Sequence, residues 1–302
     1  MKKYGLHIFG VVLFVSLILK LGAPIQVWAA GFENGSREKK IGSYYIWIGS
    51  DSQTIRISKS KKGNGTVLAK AAEGRKMRDC FSDGKTVYYA ESKEVDDEWH
   101  TVDYIYRIGT DKKGKQYLNK TRNFSEFEVR YKEKLYLSCT SDEYIDEIHT
   151  YCLDMKTKKI KRVMKNAEVW MQHGKYLIAV PNSGSADPLD LYTYNCVSGK
   201  KVRITKKMYT VQIIGKKLYY AEYLNDSYET MNTFRIRSCN LSGTGKKTVV
   251  KNIQATSIGK MTPKYIYYQI TREWGNSYHD DYYRYVIKTK QSQSLTASQY
   301  RE

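Results

Sequence analysis

One phrase recurs along this chain: a short polar turn followed by a strand-like run of aromatic and aliphatic residues. It reads Gly84-Lys85-Thr86-Val87-Tyr88-Tyr89-Ala90-Glu91, and again Lys216-Lys217-Leu218-Tyr219-Tyr220-Ala221-Glu222. Looser copies are Gly42-Ser43-Tyr44-Tyr45-Ile46-Trp47, Lys134-Leu135-Tyr136-Leu137, Gly174-Lys175-Tyr176-Leu177-Ile178 and Lys264-Tyr265-Ile266-Tyr267-Tyr268. Anchored on Ile46, Tyr88, Tyr136, Leu177, Tyr219 and Tyr267, the copies lie 42, 48, 41, 42 and 48 residues apart. That period is the length of a four-stranded propeller blade.

The rest of each repeat fits the same unit. A third strand follows the aromatic one, as in Tyr104-Ile105-Tyr106-Arg107-Ile108 or Phe234-Arg235-Ile236-Arg237. A tight basic turn comes next, such as Lys156-Thr157-Lys158-Lys159, Ser198-Gly199-Lys200-Lys201 or Ser242-Gly243-Thr244-Gly245-Lys246-Lys247, in the residues β-turns favour. A fourth strand leads into the first strand of the next repeat. Arg37 to Gly42 would have to supply the inner strand of the first repeat. No stretch after the leader sustains a helical period. The expectation is an all-β chain, a six-bladed β-propeller of four-stranded blades. Stacked in a ring, such blades cover one another's faces and leave no long edge.

The first thirty residues are of another kind. Lys2 and Lys3 precede an apolar run from Ile8 to Leu19, and Val27-Trp28-Ala29 places small residues where a signal peptidase reads. Residues 1–30 therefore read as a secretory signal peptide cut after Ala29 or Ala30, with one propeller domain over 31–302 and no transmembrane anchor after cleavage. The uncharged run is shorter than the ~20 residues a spanning helix needs.

Composition supports β structure, with 28 Tyr and only 4 Pro among 302 residues. Tyr suits strands whose outer ends meet water. Cys80, Cys139, Cys152, Cys196 and Cys239 are odd in number and unclustered, so a disulfide framework does not organise the fold. They read as small buried hydrophobes. Cys139 and Cys152, flanking one hairpin, are the pair that could bridge.

The Tyr-Tyr strand with a third strand of Ile-Tyr-Arg-Ile type resembles the six-bladed propellers related to the YWTD domain of the low-density-lipoprotein receptor. Secreted bacterial relatives of unknown function are the nearest likeness. The similarity covers nearly all of 31–302. No copy here carries Tyr-Trp-Thr-Asp, and Glu91 and Glu222 stand where a similar repeat often has Asp or Asn. The resemblance implies a recognition module.

Net charge is +20, and loss of Lys2, Lys3 and Lys20 with the leader leaves +17. Five segments between second and third strands (91–103, 141–147, 182–190, 222–232 and 271–281) hold 18 of the 31 acids, opposed only by Lys93 and Arg272. The sequence thus predicts an acidic face studded with Trp99, Tyr144, Tyr223, Tyr228, Trp274 and Tyr278, suited to a protein, peptide or glycan. The turns carrying Lys158, Lys159, Lys200, Lys201, Lys246 and Lys247 would form a basic face, suited to an anionic cell-wall polymer or lipid surface. Solvated loops and solubility lysines are the plainer reading of both. Nucleic acid is disfavoured, because the chain is exported and shows no nucleic-acid module.

Chemistry is sparse. No histidine lies in a zinc pattern, and Gly243 to Thr248 reads as a hairpin turn rather than a phosphate loop. No cofactor or metal is expected, and Asp96-Asp97-Glu98 and Asp280-Asp281 lack calcium-loop spacing. The enzyme alternative is a hydrolase or lyase using His100 or His279 with Asp103, Asp280 or Asp281 at the propeller mouth. His149 and His173, in or beside strands, read as structural.

Overall fold

A computed structural model describes residues 39–41, 44–60, 65–95, 100–144, 147–181, 189–225, 231–274 and 277–301. The leader predicted over 1–30 lies outside them. The chain divides into an N-terminal unit (Trp28–Lys175 with Pro181–Gly184) and a C-terminal unit (Tyr176–Val180 with Ser185–Glu302).

In the N-terminal unit, three antiparallel meanders follow one another in chain order. The first contains β1 (Lys39–Ile41), β2 (Tyr44–Ile48), β3 (Thr54–Ser58) and β4 (Thr66–Lys70); β1 is the inner strand expected near residues 37–42. The second contains β5 (Lys76–Ser82), β6 (Thr86–Glu94), β7 (Thr101–Gly109) and β8 (Gln116–Arg122). The third contains β9 (Phe124–Tyr131), β10 (Lys134–Thr140), β11 (Ile148–Asp154) and β12 (Ile160–Met164), and β13 (Glu168–His173) follows it.

The Tyr-Tyr phrase explains how these sheets stack. Neighbouring residues of a strand point to opposite faces. Tyr89 joins Ile46, Ile55, Ile57, Leu68, Val87 and Ile108 in the seam between the first two sheets. Tyr88 enters the seam between the second and third, with Ile105, Leu118, Phe124, Phe127, Leu135 and Leu137. The second sheet is therefore buried on both faces. Tyr88, Tyr89, Tyr136 and Tyr220 are at most 1 % exposed, which corrects the expectation that tyrosines sit with their tips in water. Burial pushes the Tyr89 and Tyr220 phenols well above their ordinary pKa.

The C-terminal unit holds β14 (Tyr176–Val180), β15 (Leu189–Asn195), β16 (Lys201–Ile214), β17 (Lys217–Tyr223), β18 (Asn232–Asn240) and β19 (Lys247–Ala255) in one antiparallel sheet. The long β16 serves two repeats: residues 201–208 pair with β15 and 208–214 with β17. A four-stranded sheet completes the unit, with β20 (Ser257–Met261), β21 (Tyr265–Trp274), β22 (Ser277–Val286) and β23 (Gln291–Leu295). Phe234, Ile236, Val250, Ile253, Ile258, Ile266 and Tyr268 form its core. The short helix α1 (Ala297–Arg301) sets Tyr300 against Tyr282, ring centroids 4.6 Å apart.

All five cysteines are buried thiols. Cys139 lies opposite His149 and Cys152 opposite Tyr136, three positions apart on the β10–β11 ladder, so the hairpin pair does not bridge. Burial pushes the Cys139 thiol up to about 12, which leaves it inert at neutral pH.

Candidate functional site

The histidine–carboxylate alternative meets different geometry at each histidine. Asp103, on β7, is fully buried. One of its oxygens accepts the Phe124 N–H at 2.9 Å and the Thr101 hydroxyl at 2.8 Å, and the other accepts the Ser92 hydroxyl. Burial raises its pKa against the pull of these bonds. Asp103 ties β6, β7 and β9 together, so it is a structural group rather than the partner expected for His100. The His100 ring instead lies with Nε2 3.3 Å from the Asp142 carbonyl oxygen.

His279 belongs to the C-terminal unit, and the segment around it is not a loop. Residues 271–274 and 277–281 extend the β21–β22 ladder, with Arg272 opposite His279 and Thr271 opposite Asp280. Strand alternation puts Asp280 on the other face from His279, where it accepts the Thr271 hydroxyl at 2.8 Å. The carboxylate beside His279 is Asp281, 3.3 Å from Nε2 and also bound by Arg272 Nε at 2.9 Å. His149 is buried and its Nδ1 accepts the Asn166 N–H, whereas His173 is exposed at the end of β13. Among the described residues, no group of three or more His, Cys, Asp or Glu could hold a metal ion.

The acidic segments are partly absorbed by the sheets. Glu91, 0 % exposed, accepts the Ala72 N–H and an ion pair from Arg75 at 3.3 Å; the Arg75 guanidinium also lies over the Tyr104 ring. Glu222 is buried as well, and Arg237 reaches it at 3.7 Å. Burial in the sheets therefore takes Glu91, Asp103 and Glu222 out of the acids assigned to loops. Tyr144 and Tyr278 stand 61 % and 69 % exposed, as a contact surface requires. Tyr223 does not: its ring packs on Tyr209 and Phe234, with centroids 5.3 and 5.1 Å away. Trp99, Tyr228 and the Trp274 side chain lie outside the described residues, as do Asp96, Asp97 and Glu98.

The lysine-bearing turns lie between consecutive strands of the sheets. In an antiparallel meander, the hairpin turn between strands one and two and that between three and four fall at the same end of the sheet. Lys85, Lys112 and Lys113 mark that end of the second sheet, and Lys132, Lys158 and Lys159 that of the third; all are exposed. Lys200, Lys201, Lys216, Lys217, Lys246 and Lys247 are exposed at the corresponding turns of the C-terminal unit. Acids at these turns are occupied in holding backbone. Asp154 accepts the Lys156 and Thr157 N–H groups, which lower its pKa, and Asp111 accepts that of Lys113. Asp83 accepts the Lys85 and Thr86 N–H groups and pairs with Arg130.

Sequence reasoning missed the polar side chains that join successive inner strands. Asp79 on β5 accepts the Phe127 N–H of β9 at 2.8 Å. Glu128 on β9 accepts the Val169 N–H of β13. Gln212 on β16 donates to the Gly259 carbonyl at 3.0 Å and accepts the Met261 N–H at 2.9 Å. Each stands seven to nine residues before its repeat's anchor tyrosine.

What the residues define is a nearly all-β chain of antiparallel meanders stacked face to face within each unit. Among solved structures, it is similar to the β-propeller domain of the Trilobed protease from Pyrococcus furiosus, at 11 % identity and a TM-score of 0.46, covering 75 % of this chain and 72 % of that one. It is similar also to an oligogalacturonate lyase in complex with manganese (10 % identity, TM-score 0.47, 89 % and 79 % covered). A third likeness is to TolB from Acinetobacter baumannii (12 % identity, TM-score 0.37), covering 83 % of this chain and 59 % of that one. No protein-family model matches the sequence, and no curated protein matches it. The YWTD resemblance accordingly rests on the short repeat phrases alone.

Proposed function

We propose that residues 31–302 form an exported, six-bladed β-propeller that acts as a non-catalytic recognition or scaffold module at a bacterial envelope. Its basic turn ends hold anionic envelope polymer. The opposite ends, with Tyr144 and Tyr278 exposed, meet a protein, peptide or glycan. The observation that carries this reading is the repeated charge placement. Each sheet from the second onward presents lysines at its turn end, and the acids there that cap turns are already bonded to backbone. Repetition of a weak charged contact on one scaffold is how such surfaces gain strength.

The second reading is a hydrolase or lyase, and the contact that favours it is His279 to Asp281. The similar structures include a protease domain and a lyase as well as TolB, so they do not separate the two readings. A His100→Ala, His279→Ala double variant separates them. A recognition module retains its binding to isolated cell-wall material. If the wild type depolymerises that material and the double variant does not, the enzyme reading replaces the one proposed.

A further inference from the structure

The lysines at the turn ends differ in what surrounds them. Between Asp190 and Glu222 the chain has no acid, yet carries Lys200, Lys201, Arg203, Lys206, Lys207, Lys216 and Lys217. Between Glu229 and Glu273 it again has none, and carries Lys246, Lys247, Lys251, Lys260 and Lys264 with three arginines. The fold of the C-terminal unit brings parts of these two stretches together. The β18–β19 turn lies on the start of β16. A Cβ on Gly243, whose φ is +82°, would fall 2.8 Å from Val202 Cγ1 and 2.9 Å from Ile204 Cδ1. Lys246 Nζ donates to the Ile204 carbonyl at 2.6 Å. Lys200, Lys201, Lys246 and Lys247 thus form one exposed patch drawn from two hairpins. The turn bearing Lys216 and Lys217 lies at the same end of its meander as the Lys246 turn. In the N-terminal unit, by contrast, Asp83, Asp111, Glu133 and Asp154 stand among the turn lysines.

We infer that this C-terminal patch is a binding surface for a linear phosphodiester polymer, an inference that rests on the reading of the turn ends as attachment sites. The exposed charges of the patch are ammonium ions, compact point charges that each take a singly charged phosphate; Lys246 also holds the Ile204 carbonyl and Lys201 lies over the Tyr192 ring. Arg203 and Arg237, whose forks match carboxylate and phosphate alike, are engaged by Asp190 at 3.4 Å and by Glu222, which leaves the turn ammonium groups as the patch's exposed charge. Lysines on the outside of turns each engage one phosphate weakly, so affinity comes from several engaged along one chain. A bilayer is the poorer fit: Val197, 60 % exposed, is a single small apolar group beside these lysines, too little to insert.

The test measures binding of residues 31–302 to end-labelled poly(glycerol phosphate) at low salt. Wild type is compared with Lys200→Gln/Lys201→Gln/Lys246→Gln/Lys247→Gln and with Lys112→Gln/Lys113→Gln/Lys158→Gln/Lys159→Gln. Both variants lose the same charge at exposed turns, and circular dichroism checks that each is folded. The first should weaken binding by about tenfold or more, the summed worth of four exposed ion pairs, and the second by far less. Equal losses, or no loss in the first, overturn the assignment. Competition by free glycerol phosphate at equal phosphate concentration overturns the polymer requirement, and tighter binding to phosphatidylglycerol vesicles overturns the choice of a soluble polymer. Wild type retained on wall material but not on the polymer overturns this inference alone. Wild type retained on neither sinks the proposed function with it.

Discussion

The carboxylate of Asp79 on β5 accepts the backbone N–H of Phe127 on β9 at 2.8 Å, 48 residues further along the chain. Glu128 repeats the contact toward Val169, and Gln212 repeats it toward Met261. Apolar seams stack the sheets, but apolar packing is tolerant of sliding. A buried hydrogen bond from a side chain to the next sheet's backbone is not, because a slip leaves both groups unpaired away from water.

Removing a clasp should therefore cost more than its size suggests. Asp79→Ala and Gln212→Ala each strand buried backbone groups, and each should lower the unfolding free energy by about 1–3 kcal/mol. Denaturant unfolding measures the loss. Amide exchange at Phe127 and at Met261 locates it, rising in the matching variant and not in the other. Losses indistinguishable from those of surface substitutions would remove the clasps from the account.

Glu128 gives the stability a pH dependence. It is fully buried, and the burial, with Glu126 and Glu168 nearby, holds its carboxyl well above the ordinary value of 4.5. Over the range above 4.5, the folded chain keeps a proton that the unfolded chain has released. The native state binds more protons there, so stability falls as pH rises through that range. Glu128→Gln supplies a neutral group of the same shape. It should flatten the fall and be more stable than wild type at neutral pH. A parallel pair of stability curves would contradict this.

The C-terminal helix is seated by a glycine. A Cβ at Gly259 would lie 2.5 Å from the Tyr300 hydroxyl oxygen and 3.3 Å from Cζ. Gly259→Ala should therefore destabilise the protein, and the same change in a Tyr300→Phe background should cost about 1 kcal/mol less, since the clashing oxygen is gone. A thermal-unfolding double-mutant cycle measures the coupling; additivity would mean the helix is not held at this point.

The repeat was legible because its anchor strand is buried on both faces. Tyr88 and Tyr89 must both be large and apolar, and a doubled aromatic at a fixed period stands out. The turns were legible for the same local reason, since Gly199 and Gly243 adopt left-handed backbone that few residues share. The acids were misread because charge alone does not say which side of a sheet end a residue takes. Glu91 and Asp103 sit among acidic neighbours, yet each turns inward to bond backbone of an adjoining segment. His279 and Asp280 are adjacent in sequence, and β alternation parts them. The clasps left a fainter trace, because Asp79 and Glu128 stand among other polar residues of their strands and each partner lies a whole repeat away.

The measurement that bears most directly on the proposed function is retention of residues 31–302 on isolated bacterial cell-wall material across a salt series. It is made for wild type and for a variant with Lys158, Lys159, Lys200, Lys201, Lys246 and Lys247 changed to Gln. Wild type should be held at low salt and released as salt screens the turn lysines, within a Debye length of about 10 Å at 0.1 M. The variant should pass through unretained. Wild type unretained at low salt, or a variant held as firmly as wild type, would contradict attachment through the basic turns and leave those lysines as solubility residues.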